Sequence, residues 1–305
     1  MARLKEYNGH YCESEYEYAF IGFLEAEGWK YSSGNNIHRV TKRDVLIADD
    51  FKKFIADTNP DLTEDEVIQI YDNVRLVGAE SDFATLHKVY GWMVNGVQFT
   101  PQDGLPRMIP LIDFDNWDKN IFRVVNQFTV EYTNNGQKEN RRPDVLLFVN
   151  GIPLCVIELK NPTDANATIY DAWEQINIRY WRDIPHLLHY CPLACISDGV
   201  KTRLGTVRTP YEHFYAWRRV NEGDVVSTLP FAETETMIKG VYTPERFVEI
   251  FRDYIYFQDS IYDCDEVEIV CRYPQFFAAK LLKQSIVNSV VTRSGKGGTY
   301  FGATG

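Results

Sequence analysis

The sequence predicts an α/β fold in which a mixed central sheet is flanked by helices. Segments with apolar residues at helical spacing alternate with short runs rich in Val, Ile, Leu and Phe. Two of these runs, residues 145–149 and 154–159, are joined by Asn150-Gly151, a pair typical of tight hairpin turns. With 45% apolar and 14% aromatic residues, the 305-residue chain can bury the core of one large domain, or of one domain and part of another.

The beginning of the chain is predicted to be helical. Residues 13–27 are amphipathic and stop at Gly28, a typical C-terminal cap. Three more helices are expected at residues 44–57, 63–76 and 81–92. The second of these opens with Thr63 and Glu66 at the spacing of a capping box. We expect these three helices to act as scaffold.

The remaining elements follow from the same two periodicities. Strands are predicted at residues 109–113, 122–132, 145–149, 154–159, 193–197 and 201–207. Helices are predicted at residues 168–181, 211–220, 244–257 and 276–291. Ser197 and Asp198 are predicted to form a turn. Arg218 and Arg219 suit either a DNA-backbone contact or a solvated helix face, and the polar stretch 221–240 has no predicted element.

Three charged residues interrupt the apolar hairpin: Asp144, Glu158 and Lys160. Placing charges on buried strands costs desolvation free energy that folding alone does not require, so they indicate a function. Because side chains alternate along a strand, Glu158 and Lys160 share one face. A two-residue turn would pair Asp144 with Ile157 and turn the two carboxylates apart. We therefore expect a bulged, three-residue turn that places Asp144 and Glu158 on one face, where they could hold Mg²⁺.

Composition and charge restrict the classes of function. The net charge of −11 disfavours DNA binding, but residues 141–220 carry 10 Lys and Arg against 8 Asp and Glu. The candidate site therefore lies in the least acidic part of the chain. The six cysteines form no CxxC pair and are expected to be reduced. No run of 18 apolar residues is present, so we expect a cytoplasmic protein without a membrane segment.

The string from Arg142-Pro143-Asp144 through Asn-Gly-Ile-Pro-Leu to Glu158-Leu159-Lys160 resembles two known patterns. Its charged positions resemble the PD-(D/E)xK nuclease signature, and the longer string resembles the R (motor) subunit of type I restriction enzymes. The resemblance implies a restriction-endonuclease-like core. It also implies Mg²⁺-dependent hydrolysis of double-stranded DNA, with methyltransferase and specificity subunits as partners.

The resemblance also implies roles for particular residues. Asp144 and Glu158 would bind the metal, with the Leu159 carbonyl as a further ligand, and Lys160 would act on water or the scissile phosphate. Two further catalytic positions, Glu17 in the first helix and a Gln-x-x-x-Tyr pair, are expected from the family. This chain has Gln175 and Tyr180, one residue further apart than in the family. Either the helix bulges there or one of the two residues has lost its role.

The end of the chain resembles the start of a superfamily 2 helicase motor. A strand at residues 298–301 leads into Gly302, the first glycine of a P-loop whose lysine would lie beyond residue 305. We therefore predict a nuclease domain at residues 1–258 and the leading segment of a translocase at 259–305. ATP would be used only by the full-length subunit.

Two alternative functions remain open from the sequence. The first is a repair exonuclease of the RecB type, which would not bind a methyltransferase. The second is a non-catalytic nuclease-like module that binds DNA or docks a partner. The three charges on apolar strands argue against the second alternative.

Overall fold

The computed structural model describes residues 13–78, 80–102, 104–161, 168–226, 231–259 and 266–299. Its helices are α1 (Glu13–Ala26), α2 (Ala48–Thr58), α3 (Glu64–Arg75), α4 (Asp82–Asn95), α5 (Ile169–Glu174), α6 (Trp181–Asp183), α7 (Pro185–Leu188), α8 (Ala232–Val241), α9 (Pro244–Asp253) and α10 (Tyr273–Thr292). A π-helical turn, Gln175–Tyr180, joins α5 to α6. The strands are β1 (Lys30–Ser33), β2 (Val97–Phe99), β3 (Arg107–Ile109), β4 (Phe122–Asn126), β5 (Val130–Asn134), β6 (Gln137–Arg141), β7 (Val145–Val149), β8 (Ile152–Leu159), β9 (Leu193–Ser197), β10 (Thr202–Thr206), β11 (Ile255–Asp259) and β12 (Glu266–Val270).

Six strands form a mixed central sheet in the order β1-β4-β7-β8-β9-β10. Strands β1 and β4 are parallel, as are β8 and β9, and the other neighbours are antiparallel. Every residue of β7, β8 and β9 is buried, as is typical of strands covered on both faces. The predicted α/β architecture with a mixed sheet flanked by helices is therefore confirmed.

The strand directions bring particular chain segments to one edge of the sheet. Strands β1, β4, β8 and β9 end there, and β7 and β10 begin there. Asp144 immediately precedes β7, and Lys160 immediately follows β8. We call this border the site edge. The fold therefore brings the charged residues of the hairpin close to one another and to the turn between β9 and β10.

The opposite edge of the sheet is held by the Asn150-Gly151 turn. Both residues have positive φ, 52° and 76°, as a two-residue hairpin turn requires. A Cβ atom at residue 151 would overlap the carbonyl oxygen of Ile47, so only glycine fits. The Asn150 amide nitrogen donates to the Leu111 carbonyl and to the Asn120 side chain. The turn is therefore fixed by the segments that precede β4.

The helices at the two ends of the chain pack into one core with the sheet. The Trp29 indole nitrogen donates to the Tyr242 carbonyl at 2.6 Å, and its ring packs against Phe247 in α9. The Tyr90 hydroxyl in α4 donates to the Phe251 carbonyl at 2.9 Å. The Tyr16 hydroxyl of α1 also lies 3.1 Å from the Thr234 hydroxyl of α8, so α8 and α9 belong to the same packed unit as α1 and α4.

Two strand predictions were wrong in detail. The predicted strand 122–132 is broken at Gln127, whose φ is 54° and whose amide donates to the Asp144 carbonyl instead of continuing the ladder. The predicted strand 109–113 does not join the central sheet. Its first residue, Ile109, ends β3, which pairs only with β2, and the following Pro110 has no N–H to donate.

The helical predictions also need two corrections. In the segment 211–220 only Tyr211–His213 is helical, as a 3-10 turn, and Tyr215 forms an isolated bridge with Leu204 on the outer edge of β10. The helix predicted at 244–257 ends at Asp253, where the chain turns into β11. Helix α8 lies, except for its last residue, inside the stretch 221–240, for which no element was predicted. Its buried face includes Thr234, Met237, Ile238 and Val241.

Two of the sequence predictions concern the C-terminal part of the chain. Gly302 and the end of the strand predicted at residues 298–301 lie outside the described residues. The domain boundary predicted after residue 258 falls before the last residue of β11, a strand that pairs with β12 in antiparallel fashion. Within the described part of the chain, no helix has both the length and the apolar character needed to span a membrane.

Candidate active site

A β-bulge, rather than a long turn, brings Asp144 and Glu158 to the same face. Val149 pairs with Ile152 across a two-residue turn, so the predicted three-residue loop was wrong. The register shifts between Leu147 and Phe148, and one extra residue of β8, Leu154, is accommodated within the strand. Beyond this shift Val145 pairs with Ile157, which places the preceding Asp144 opposite Glu158.

Glu158 is buried, and the half-buried Asp144 lies close to it. Glu158 is 0% exposed. The Asp144 backbone nitrogen lies 3.4 Å from Glu158 Oε1, and the Leu159 backbone nitrogen donates to Asp144 Oδ2 at 2.9 Å. Burial raises the pKa of the Asp144 carboxyl. Burial, followed by the negative charge of Asp144, raises the pKa of Glu158 well above its usual value, and nearby Lys160 lowers it.

Gln175 and Tyr180 complete a hydrogen-bonded network around Glu158. The Tyr180 hydroxyl donates to Glu158 Oε1 at 2.6 Å, and Gln175 Nε2 donates to Glu158 Oε2 at 2.7 Å. The Lys160 ammonium donates to Gln175 Oε1 at 2.9 Å. Burial raises the pKa of Tyr180 well above its usual value, so this residue remains a neutral O–H donor. Glu158 and Lys160 are thus held by a single amide side chain.

The π-helical turn explains how the longer Gln175-to-Tyr180 spacing is tolerated. A π-turn inserts one residue into an α-helix and aligns residues i and i+5. Gln175 Nε2 lies 2.9 Å from the Tyr180 hydroxyl oxygen, so the structure brings the pair together. Of the two outcomes left open by the sequence, the helix bulges.

Glu17 lies on α1, and its carboxylate reaches the end of β4. It is 5% exposed. Its two oxygens accept hydrogen bonds from Asn126 Nδ2 at 2.6 Å and Gln127 Nε2 at 2.8 Å. The Gln127 backbone nitrogen donates to the Asp144 carbonyl at 3.2 Å. Glu17 is therefore linked to the site edge through the β4–β5 connection.

The donor set at this edge suits a small divalent cation. Among the described residues, no three His, Cys, Asp or Glu side chains form a cluster that could hold a metal alone. Mg²⁺ does not need such a cluster, because it commonly uses one or two carboxylates and retains several waters. A buried and a half-buried carboxylate beside a single lysine leave an excess of negative charge, and a divalent cation would compensate it. Asp144, Glu158 and the adjacent Leu159 carbonyl fit such an ion.

The sequence did not predict several residues that support this site. Asn126 and Gln127 interrupt an apolar run at residues 122–130, and this polar pair was the available signal for the contact with Glu17. Ser197 accepts the Lys160 backbone N–H through its carbonyl, while its hydroxyl lies 2.7 Å from the Tyr16 hydroxyl. No pattern in the sequence connects Tyr16 with Ser197, because they are 181 residues apart.

Comparison with known proteins identifies a family model and several relatives that the chain matches. Residues 11–213 match the family model described as type I restriction enzyme R protein N terminus. The chain is 30% identical over 300 residues to a putative type I restriction enzyme MjaIXP endonuclease subunit of Methanocaldococcus jannaschii. It is 28% identical over 306 residues to the type I restriction enzyme HindI endonuclease subunit of Haemophilus influenzae. These alignments cover 90% and 95% of this chain but only 28% of each relative.

Proposed function

Since the chain belongs to the type I restriction enzyme R protein family, whose N-terminal region it matches over residues 11–213, we propose that it carries the nuclease of such an enzyme. The proposed reaction is Mg²⁺-dependent hydrolysis of phosphodiester bonds in double-stranded DNA by a PD-(D/E)xK core. One observation carries the proposal above all: Asp144 and Glu158 face each other across an antiparallel strand pair, with Lys160 on the same strand end.

In this proposal Asp144, Glu158 and the Leu159 carbonyl hold the metal, which would polarise the scissile phosphate and favour ionisation of water. Lys160 contributes a positive charge that stabilises the negative charge developing on the phosphate. Gln175 fixes the position of both Lys160 and Glu158, since its amide bonds to each of them. Tyr180 donates to Glu158 and so keeps one carboxylate oxygen in a defined direction.

The whole enzyme is a further part of the proposal. The chain spans 28% of the length of the two relatives compared above, both of which are named as endonuclease subunits of type I restriction enzymes. We expect the full-length subunit to couple cleavage to ATP-driven translocation. We also expect it to assemble with methyltransferase and specificity subunits. Binding to these two kinds of subunit would distinguish it from a repair exonuclease.

Cation binding by the chain itself tests the metal site independently of cleavage. Asp144→Asn should weaken Mn²⁺ or Mg²⁺ binding in a calorimetric titration, because it removes a charged ligand. Asp118→Asn is the matched control, since Asp118 is an exposed carboxylate in the turn before β4, away from the site edge. Equal affinity of Asp144→Asn and the wild type would remove Asp144 from the metal site.

Cleavage by the reconstituted restriction complex tests the role of Lys160. Lys160→Gln should lower the cleavage rate by about 10²–10³-fold, the usual effect of losing one stabilising group in a transition state. ATP consumption should remain, because Lys160 lies in the nuclease core. Lys119→Gln, at an exposed lysine near Asp118, should cleave like the wild type. Undiminished cleavage by Lys160→Gln would withdraw the catalytic assignment of this lysine.

A further inference from the structure

The basic residues near the site edge differ in whether an acidic side chain neutralises them. Arg141 precedes the start of β7, and its guanidinium lies 2.6 Å from Asp183 Oδ2. Arg182 bonds to the same carboxylate at 2.7 Å. In the π-turn, Arg179 pairs with Glu174 at 2.6 Å. All three arginines are therefore held in ion pairs, although Arg141 and Arg182 share the single carboxylate of Asp183.

Arg142 and Lys201 behave differently. Both side chains are exposed, and within the described ranges no carboxylate lies at ion-pair distance from either of them. Arg142 lies two residues before Asp144, and Lys201 ends the turn between β9 and β10. Other exposed cations of the chain also lack an ion-pair partner among the described residues, so what distinguishes Arg142 and Lys201 is their position at the site edge.

The order of the strands defines where these cations lie relative to Lys160. Arg142 belongs to the β7 end, Lys160 to β8 and Lys201 to β10, and β9 lies between the last two. At about 4.8 Å per strand, β7 and β10 are roughly 14 Å apart. This distance is several times the ~3.4 Å axial rise per nucleotide of one DNA strand, so it can span more than one backbone phosphate. The two cations can therefore lie on either side of a phosphate held at Lys160.

Both positions are held by the surrounding backbone. The Lys201 backbone nitrogen donates to Asp198 Oδ1 at 2.7 Å, and its carbonyl accepts from the Ser197 hydroxyl at 2.9 Å. Arg142 lies between the ion-paired Arg141 and the buried Pro143. The chain is therefore fixed at both points, and only the long side chains remain to be ordered on binding, which limits the entropic cost.

We propose that Arg142 and Lys201 bind backbone phosphates of DNA on the two sides of the scissile phosphate, and so position the strand over Asp144, Glu158 and Lys160. The inference rests on the proposed nuclease function and names the contacts by which that site holds its substrate. Such contacts orient the DNA without reading its sequence, because phosphates are the same at every nucleotide.

Salt-dependent binding of a short DNA duplex tests the proposal. Affinity is measured with Ca²⁺ in place of Mg²⁺, so that binding is separated from cleavage. Arg142→Gln and Lys201→Gln should each reduce the slope of log affinity against log salt concentration by about 0.9, the contribution of one phosphate contact. The double variant should lose about twice as much. Lys119→Gln should keep the wild-type slope, because Lys119 is an exposed lysine near the opposite edge and has no ion-pair partner among the described residues.

The outcomes separate this inference from the nuclease proposal. If both single variants keep the slope and affinity of Lys119→Gln while their melting temperatures match the wild type, the phosphate contacts are wrong. Failure of the wild-type chain to bind duplex DNA would overturn them as well. The nuclease proposal is judged by other variants, since Asp144→Asn should bind DNA and lose cleavage. Cleavage by Asp144→Asn at the wild-type rate would reject the nuclease assignment whatever the slopes are.

Discussion

At the scale of single residues, two buried glutamates differ in how their oxygens are satisfied. Glu158 accepts hydrogen bonds from Tyr180 and Gln175, so its burial is offset by charge-assisted hydrogen bonds. Glu268 in β12 is 3% exposed, and within the described residues neither of its carboxylate oxygens has a hydrogen-bond partner. The Thr206 hydroxyl lies nearby but donates to the Glu268 main-chain carbonyl at 3.2 Å. Glu268 is therefore a local source of instability.

Replacement of Glu268 by glutamine should make the protein more stable at neutral pH. Burial raises the pKa of Glu268 well above its usual value, although Thr206 and Arg208 lower it. A carboxyl group with a raised pKa in the folded state stabilises the fold in acid. That contribution is lost as the pH rises from the unfolded-state pKa towards the folded-state pKa. Glu268→Gln should raise the free energy of unfolding by about 1–3 kcal/mol at neutral pH, because the neutral amide avoids the cost of burying a carboxylate or of taking up a proton on folding.

Thermal denaturation across a pH series measures this effect. The stabilisation should diminish as the pH falls to about 4, where the wild-type carboxyl group is protonated in both states. Glu266→Gln is the control, because Glu266 lies on the same strand but is exposed and faces Arg208 at 3.6 Å. A stability difference between Glu268→Gln and the wild type that does not change with pH would contradict the explanation from ionisation.

At the scale of elements, two single-residue insertions orient the side chains of the site. The bulge at Leu154 turns Glu158 to the face of Asp144, and the π-turn aligns Gln175 with Tyr180. The sequence predicted that an extra residue was needed in the hairpin, because strand alternation fixes parity. It could not show where that residue lies, because an extra residue in the turn and an extra residue in the strand give the same pattern of residues. The spacing of Gln175 and Tyr180 likewise left two outcomes open.

Deletion of Ile178 should convert the π-turn into regular α-helix without loss of the fold. Ile178 is 47% exposed, and its removal gives Gln and Tyr the i, i+4 spacing that aligns side chains on an α-helix. The free energy of unfolding should change by only about 0.5 kcal/mol, as for other exposed positions. Mn²⁺ affinity should also be retained, because Glu158 keeps both donors.

Deletion of Gln69 from the regular helix α3 is the matched control. Gln69 is also exposed, but its removal would rotate Ile70, Tyr71 and Val74 away from the core. This variant should unfold at a much lower temperature, because each displaced apolar side chain costs about 2–5 kcal/mol. Equal destabilisation by the two deletions would mean that the flanking packing requires the π-turn. In that case the π-turn would be needed for packing and would not merely accommodate one extra residue in the helix.

At the scale of the whole molecule, the central strands were easier to predict than the elements around them. Strands β7, β8 and β9 are continuous apolar runs, which is a strong signal. Helix α8 was missed because its buried face begins with Thr234, a residue that sequence patterns count as polar. The break at Gln127 depends on a hydrogen bond to Asp144, which is distant in sequence. Long-range contacts of this kind cannot be obtained from local periodicity.

The domain boundary predicted after residue 258 can be tested through Phe276 in α10. Phe276 is 0% exposed and packs against Trp217 and Tyr254, which precede that boundary. If α10 unfolds together with the central sheet, the protein should show a single unfolding transition. Phe276→Ala should then lower its free energy of unfolding by about 3–5 kcal/mol, the usual cost of such a truncation in a core. Leu281→Ala is the control on the same helix, because Leu281 is 51% exposed. If residues 259–305 form a separate unit, Phe276→Ala should instead leave the main transition in place and affect only a smaller one. Calorimetry distinguishes the two cases, since it resolves transitions that involve different parts of the chain.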